Sequence, residues 1–171
     1  MQSEKVLRII SHTDLDGVVS AALAWHVGRS SGRPVNVSLM GYGEVDNAIL
    51  ESIGSGQDLI VLDLFCQRDR TVDDIDRFFS EEDPPFVFDH HKSTYDRYSN
   101  RKWAVVDTGC CAAMVYRNWL LEQKLDPKTR RIIDDMGPIV EITNDRDLWL
   151  GGIPESRLWH GLVTICGPWG V

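Results

Sequence analysis

No apolar run approaches the length of roughly eighteen residues that a membrane-spanning helix needs. The segment Met1-Gln2-Ser3-Glu4-Lys5 lacks the apolar core of a signal peptide, so a cytoplasmic location is the expectation. Cysteine is scarce: Cys66, Cys110, Cys111 and Cys166 form no CxxC pair and match no zinc-ribbon or zinc-finger spacing. They read as small buried side chains in a reducing compartment, with no catalytic role. Basic residues are outnumbered, 18 Lys and Arg against 26 Asp and Glu, for a net charge of −8. Such a surface is not built to grip long nucleic acid by neutralising its phosphates. A small phosphorylated ligand is still compatible with it, because bound cations dominate the field of their own site. Repeats and low-complexity tracts are absent as well.

What is present is an ordinary globular composition, 43% hydrophobic and 26% charged over 171 residues, enough for one domain with a substantial core. Strand and helix signals alternate. The patterning predicts strands over 5–10, 34–40, 58–64, 86–88 and 102–106, and helices over 15–26, 44–53, 71–79, 109–123, 127–142 and 154–166. Alternation with short connections implies an α/β fold, a parallel sheet of about five strands flanked by helices. In such sheets ligands bind outside the carboxyl ends of the strands. That rule selects three segments: His12-Thr13-Asp14-Leu15-Asp16-Gly17, Asp63, and Asp89-His90-His91. A division into a domain over 1–150 and a connecting helix over 151–171, leading towards a second domain, is the expected organisation.

His12, Asp14 and Asp16 are spaced by two, so in an extended loop all three face one point. Carboxylates attract hard divalent cations, and imidazole shifts the preference towards manganese, iron, cobalt or zinc. Either aspartate could equally cap the helix that follows. Asp63 closes an apolar strand, where a carboxylate is costly unless paired or metal-bound. His90 and His91 are consecutive and cannot point the same way from an extended backbone. One can therefore ligate while the other faces substrate, with Asp89 fixing a tautomer. Asp145 and Asp147, with Arg146 between them, read as an acidic loop after a helix, either solvated or closing a metal site. Four carboxylates carry the charge that two divalent ions would cancel, which favours a two-metal hydrolase over a single-metal site.

The ordered set HTDLDG, a strand-end Asp, DHH and a late Asp resembles the DHH phosphoesterase superfamily. That group includes RecJ-like exonucleases, nano-RNases, cyclic-dinucleotide phosphodiesterases, exopolyphosphatases and manganese-dependent pyrophosphatases. The HxDxDG spacing is closer to the RecJ and nano-RNase branches. The resemblance implies two Mn²⁺, with Mg²⁺ or Co²⁺ as substitutes, held by His12, Asp14, Asp16, Asp63, His90 and Asp145. Asp63 would bridge the metals, His91 would contact the scissile phosphate, and Asp89 would support it. Of Asp145 and Asp147, the reading favours Asp145. Lys92 and Arg146 are the basic residues best placed to hold substrate phosphates.

The implied activity is hydrolysis of phosphodiester or phosphomonoester bonds in short oligonucleotides or small nucleotides, with a hydroxide between the metals as nucleophile. Alternatives are a phosphoanhydride hydrolase of the pyrophosphatase or exopolyphosphatase kind, and a non-catalytic nucleotide-binding domain. A homodimer is a further expectation. The glycine-rich substrate-binding motif of the family's second domain has no counterpart after Gly151.

Overall fold

The computed structural model describes residues 5–80 and 82–170. Five strands form one parallel sheet: β1 (Leu7–Ser11), β2 (Val35–Leu39), β3 (Asp58–Leu62), β4 (Val87–Asp89) and β5 (Ala104–Val106), in the order β2-β1-β3-β4-β5. Interleaved with them are α1 (Leu15–Ser30), α2 (Tyr42–Gly54), α3 (Asp69–Phe78) and α4 (Lys92–Tyr98). Helices α5 (Ala112–Glu122), α6 (Pro127–Asp135), α7 (Gly137–Asp147) and α8 (Ser156–Cys166) follow the sheet.

The two-residue alternation of each strand feeds a core on either side of the sheet. Ile10, Val61 and Val87 meet Val45 and Ile49 of α2 and Val72 and Ile75 of α3. Their neighbours Ile9, Leu62 and Phe88 meet Leu23 and Ala24 of α1 and Val115 and Tyr116 of α5. Apolar residues on both faces are what the near-continuous run at 58–64 requires. A third cluster, Leu15, Val19, Met114, Val140 and Val163, locks α7 and α8 onto α1 and α5.

Three differences from the sequence reading have physical causes. Helix α4 was not anticipated: its sequence KSTYDRY is polar and buries only Thr94 and Tyr98. The helix expected over 127–142 is two helices. Met136 caps α6, and Pro138 sits in the first turn of α7, where a missing N–H costs nothing. Helix α7 then continues to Asp147, so Asn144 to Asp147 lie on a helix and not in a loop. All four cysteines are free, and Cys66 and Cys111 are buried as expected, but Cys166 is exposed. Among the described residues no helix is long and apolar enough to cross a membrane.

Candidate metal centre

The carboxyl ends of β1, β3 and β4 deliver three groups of side chains to one place. From β1, the Ser11 hydroxyl donates to the carbonyls of Gly17 (2.7 Å) and Leu62 (3.1 Å), closing the loop on itself and on β3. Gly17 packs so tightly that a Cβ there would lie 2.3 Å from the His12 carbonyl oxygen, so no other residue fits. One Asp14 oxygen accepts the Gly17 N–H as the cap of α1 (3.0 Å), and the other meets His12 Nδ1 at 2.9 Å. Asp14 thus both caps and faces the cluster. Asp16 also caps a helix, but a distant one: it accepts from the N–H groups of Ala112 (2.7 Å) and Ala113 (2.9 Å) at the start of α5.

Asp63, just past β3, has φ 61°, the left-handed region that a non-glycine residue adopts at a cost of about 1–2 kcal/mol. Its N–H still donates to Phe88, which extends the sheet and holds the carboxylate in place. Asp63 Oδ1 lies 3.4 Å from His90 Nε2, and Asp63 Oδ2 lies 3.8 Å from His12 Nδ1. Such a conformation at a buried carboxylate persists only because the surrounding structure holds it.

At the end of β4, Asp89 accepts from the N–H groups of His90 and His91 (2.7 and 3.2 Å) and engages His91 Nδ1 at 2.7 Å. This fixes the His91 ring and leaves Nε2 outward, 3.4 Å from the Tyr42 hydroxyl. Tyr42, in the first turn of α2, packs against both His12 and His91. It had no motif to announce it. His90 turns the other way, with Nε2 3.8 Å from Asp16 and Nδ1 3.4 Å from Asp147.

Of the late pair, it is Asp147 that the structure brings to the cluster. Residues two apart on a helix point to nearly opposite sides. Asp147 shares the face of buried Val140 and Thr143. Asp145 points the other way and accepts from Gly152 N (2.6 Å), Ile153 N (3.0 Å) and Ser156 Oγ (2.7 Å), tying α8 to α7. Had the helical period been carried past Ile142, this split would have been legible. Lys92 does not approach the cluster; its ammonium pairs with Asp96 on the surface. Arg146 does line a cavity beside it, with Asp14, Asp16 and Asp147.

The helix end carries a further feature. Trp149 donates to the Arg146 carbonyl and Leu150 to that of Asp145, the paired bonds of a C-terminal cap whose left-handed position is normally glycine. Here that position is Trp149, at φ 55°, a residue 77% exposed.

Among the described residues, three groups have donor atoms close enough to share an ion: His12, Asp14 and Asp63; Asp63, Asp89, His90 and His91; and Asp16, His90 and Asp147. Asp63 belongs to two of them and His90 to two, so the groups form one continuous centre. Among the described residues, Asp63 Oδ2 and Asp147 Oδ2 are buried without a hydrogen-bond partner. Buried carboxylate oxygens lacking donors are where a cation fits.

The electrostatics agree. Burial, reinforced by neighbouring carboxylates, raises the pKa of Asp16 and of Asp63. For Asp14 and Asp89 burial also acts upwards, but hydrogen bonds from His12 and Gly17 in one case and from His91 in the other outweigh it, and both stay low. His12 and His91 are raised by those same aspartates. The hydrogen bonds of His12 and His91 therefore serve the rim carboxylates, Asp14 and Asp89, while burial and mutual repulsion prevail at the centre, at Asp63 and Asp16.

No protein-family model matches the chain, and no curated protein does. Among solved structures, a crystal structure of an uncharacterized protein from Helicobacter pylori G27 superposes with a TM-score of 0.70 at 22% identity. The match covers 95% of this chain and 49% of that one, so this chain spans about half of its length. At this identity the likeness carries the fold alone.

Proposed function

We propose that the chain is a metal-dependent phosphohydrolase of the DHH type, acting on phosphate esters of small nucleotides or short oligonucleotides, with manganese as its preferred ion. The observation that carries this reading is the shared carboxylate of Asp63, strained, buried and common to two adjacent donor groups. His12 and Asp14 would complete one ion position with Asp63, and His90, which lies against Asp63, links it to Asp16 and Asp147, which would form a neighbouring position in place of the set with Asp145. A pair about 3.5–4 Å apart is the arrangement known to serve both the attacking and leaving oxygens of a phosphoryl displacement. Bound there, divalent ions would supply neutralisation of phosphoryl charge and a water acidic enough to attack at neutral pH.

The remaining work falls to the chain. His91, held through Nδ1 by Asp89, presents Nε2 towards the open side, where the ring in its protonated form, which Asp89 favours, can donate a hydrogen bond to a phosphoryl oxygen. Tyr42 beside it borders the same opening. Asp63 keeps both groups of donors in register from a backbone that cannot drift. Mixed carboxylate and imidazole donors favour manganese over calcium.

The test is hydrolysis of bis-p-nitrophenyl phosphate, a short oligoribonucleotide and pyrophosphate by the purified chain with Mn²⁺ or with chelator. Manganese-dependent cleavage of an ester, lost in His91→Ala with metal content retained, is the expected result. Cleavage of pyrophosphate alone would move the reading to phosphoanhydrides, and no cleavage of any of them would contradict it.

A further inference from the structure

We propose that the cavity formed by Arg146, Trp149 and His160 next to the cluster is a nucleotide subsite, in which the guanidinium takes a phosphate and the indole stacks the base. This rests on the hydrolase reading and adds the chemical class of what sits beside the reacting phosphate. The cavity, about 100 Å³, is lined by Asp14, Asp16 and Asp147 of the centre as well as by these three residues. A phosphoryl group fits a cavity of this size, and Trp149, on its wall and largely exposed, offers the surface for a base.

Three observations converge. The Arg146 guanidinium lies 3.8 Å from the Trp149 ring centre, so the cation is fixed against one face of the indole. Arg146 Nε is buried and, among the described residues, has no acceptor, leaving a donor for an anion. Trp149 occupies a left-handed cap position that glycine fills at no cost, and it holds there a large, exposed aromatic surface. A residue unfavourable for the helix end and for the surface is what a stacking platform requires. Flat aromatic faces stack on any base, so the subsite would be tolerant of base identity. His160, from α8, adds an imidazole to the same wall and ties the subsite to the docking of that helix.

The cavity adjoins three carboxylates and would repel phosphate without bound cations. Binding is therefore measured calorimetrically in Mn²⁺, using adenosine monophosphate and ribose phosphate, which differ by the base alone. The parent protein should prefer the nucleotide by about tenfold or more. Trp149→Gly removes the indole and relieves the backbone at once. It should keep or raise Tm, keep Mn²⁺ affinity, and bind the two ligands equally, while Trp149→Phe should restore most of the preference. Arg146→Gln should weaken both ligands together. A parent that binds both equally, or a Trp149→Gly variant that retains the preference, overturns the subsite. Titration with Mn²⁺ alone in the same samples separates this from failure of the metal centre itself, which would show as no manganese uptake by the parent.

Discussion

At the residue scale the distinction between Asp145 and Asp147 has direct consequences. Asp147→Ala removes a donor that faces His90 and should lower the number or affinity of bound divalent ions, with little effect on the metal-free Tm. Asp145→Ala removes the acceptor of three hydrogen bonds, two from the connection after α7 and one from Ser156 of α8, and should do the reverse: lower Tm with manganese uptake intact. Calorimetric metal titration and thermal melts of the two variants measure the crossing, and identical behaviour would contradict the assignment.

The charged centre also fixes the sign of a pH effect. Asp16 and Asp63 have folded pKa values raised above those of the unfolded chain, Asp16 to about 6, so their contribution to stability is present below about pH 4 and lost as pH rises through the folded value. The raised His12 and His91 act in the same direction at higher pH. The lowered Asp14 and Asp89 contribute fully above about pH 4 and so do not alter the trend there. Metal-free protein should therefore lose thermal stability between about pH 5 and pH 7. Because ions need the ionised carboxylates, manganese should raise Tm more at pH 7 than at pH 5. A metal-free Tm that climbs over this range would show that the clustered carboxylates are not mutually opposed.

At the element scale the centre depends on how tightly the segment between β1 and α1 turns. Gly17→Ala would drive a Cβ to 2.3 Å from the His12 carbonyl, so His12 and Asp14 must move or the loop must open. A destabilisation of about 4 kcal/mol or more is expected, the range reserved for severe steric or core defects. Denaturant unfolding, with metal titration of whatever remains folded, reads it out. This loop was legible in the sequence because its chemistry and its turn residue coincide. The same holds for Asp63, which ends an unmistakable apolar strand, and for the consecutive histidines after β4. Tyr42 was not legible: an aromatic in the first turn of a helix is common, and only the fold sets it against His12 and His91. Nor was the role of Asp147, because the polar sequence after Ile142 hides a helix whose stability comes from packing of Val140 and Thr143 and not from its own pattern.

At the scale of the whole molecule, the parallel sheet turns local motifs into one site. Strands β1, β3 and β4 are neighbours, so three segments far apart in the chain end side by side. The alternation of strands and helices made the sheet itself predictable. The strand order that places β3 centrally, and with it Asp63 between His12 after β1 and His90 after β4, is a property of the fold. The acidic balance of the chain, −8 overall, is in part this centre, and two divalent ions would halve it.

The central claim is therefore a two-ion centre organised by Asp63. Its most direct test is calorimetric titration of metal-free protein with Mn²⁺, parent beside Asp63→Asn. The parent should take up two ions per chain, and Asp63→Asn, which keeps size and shape but loses the bridging charge, should lose at least one of them. A parent that binds a single ion, or an Asp63→Asn variant that binds two as tightly as the parent, would contradict the account.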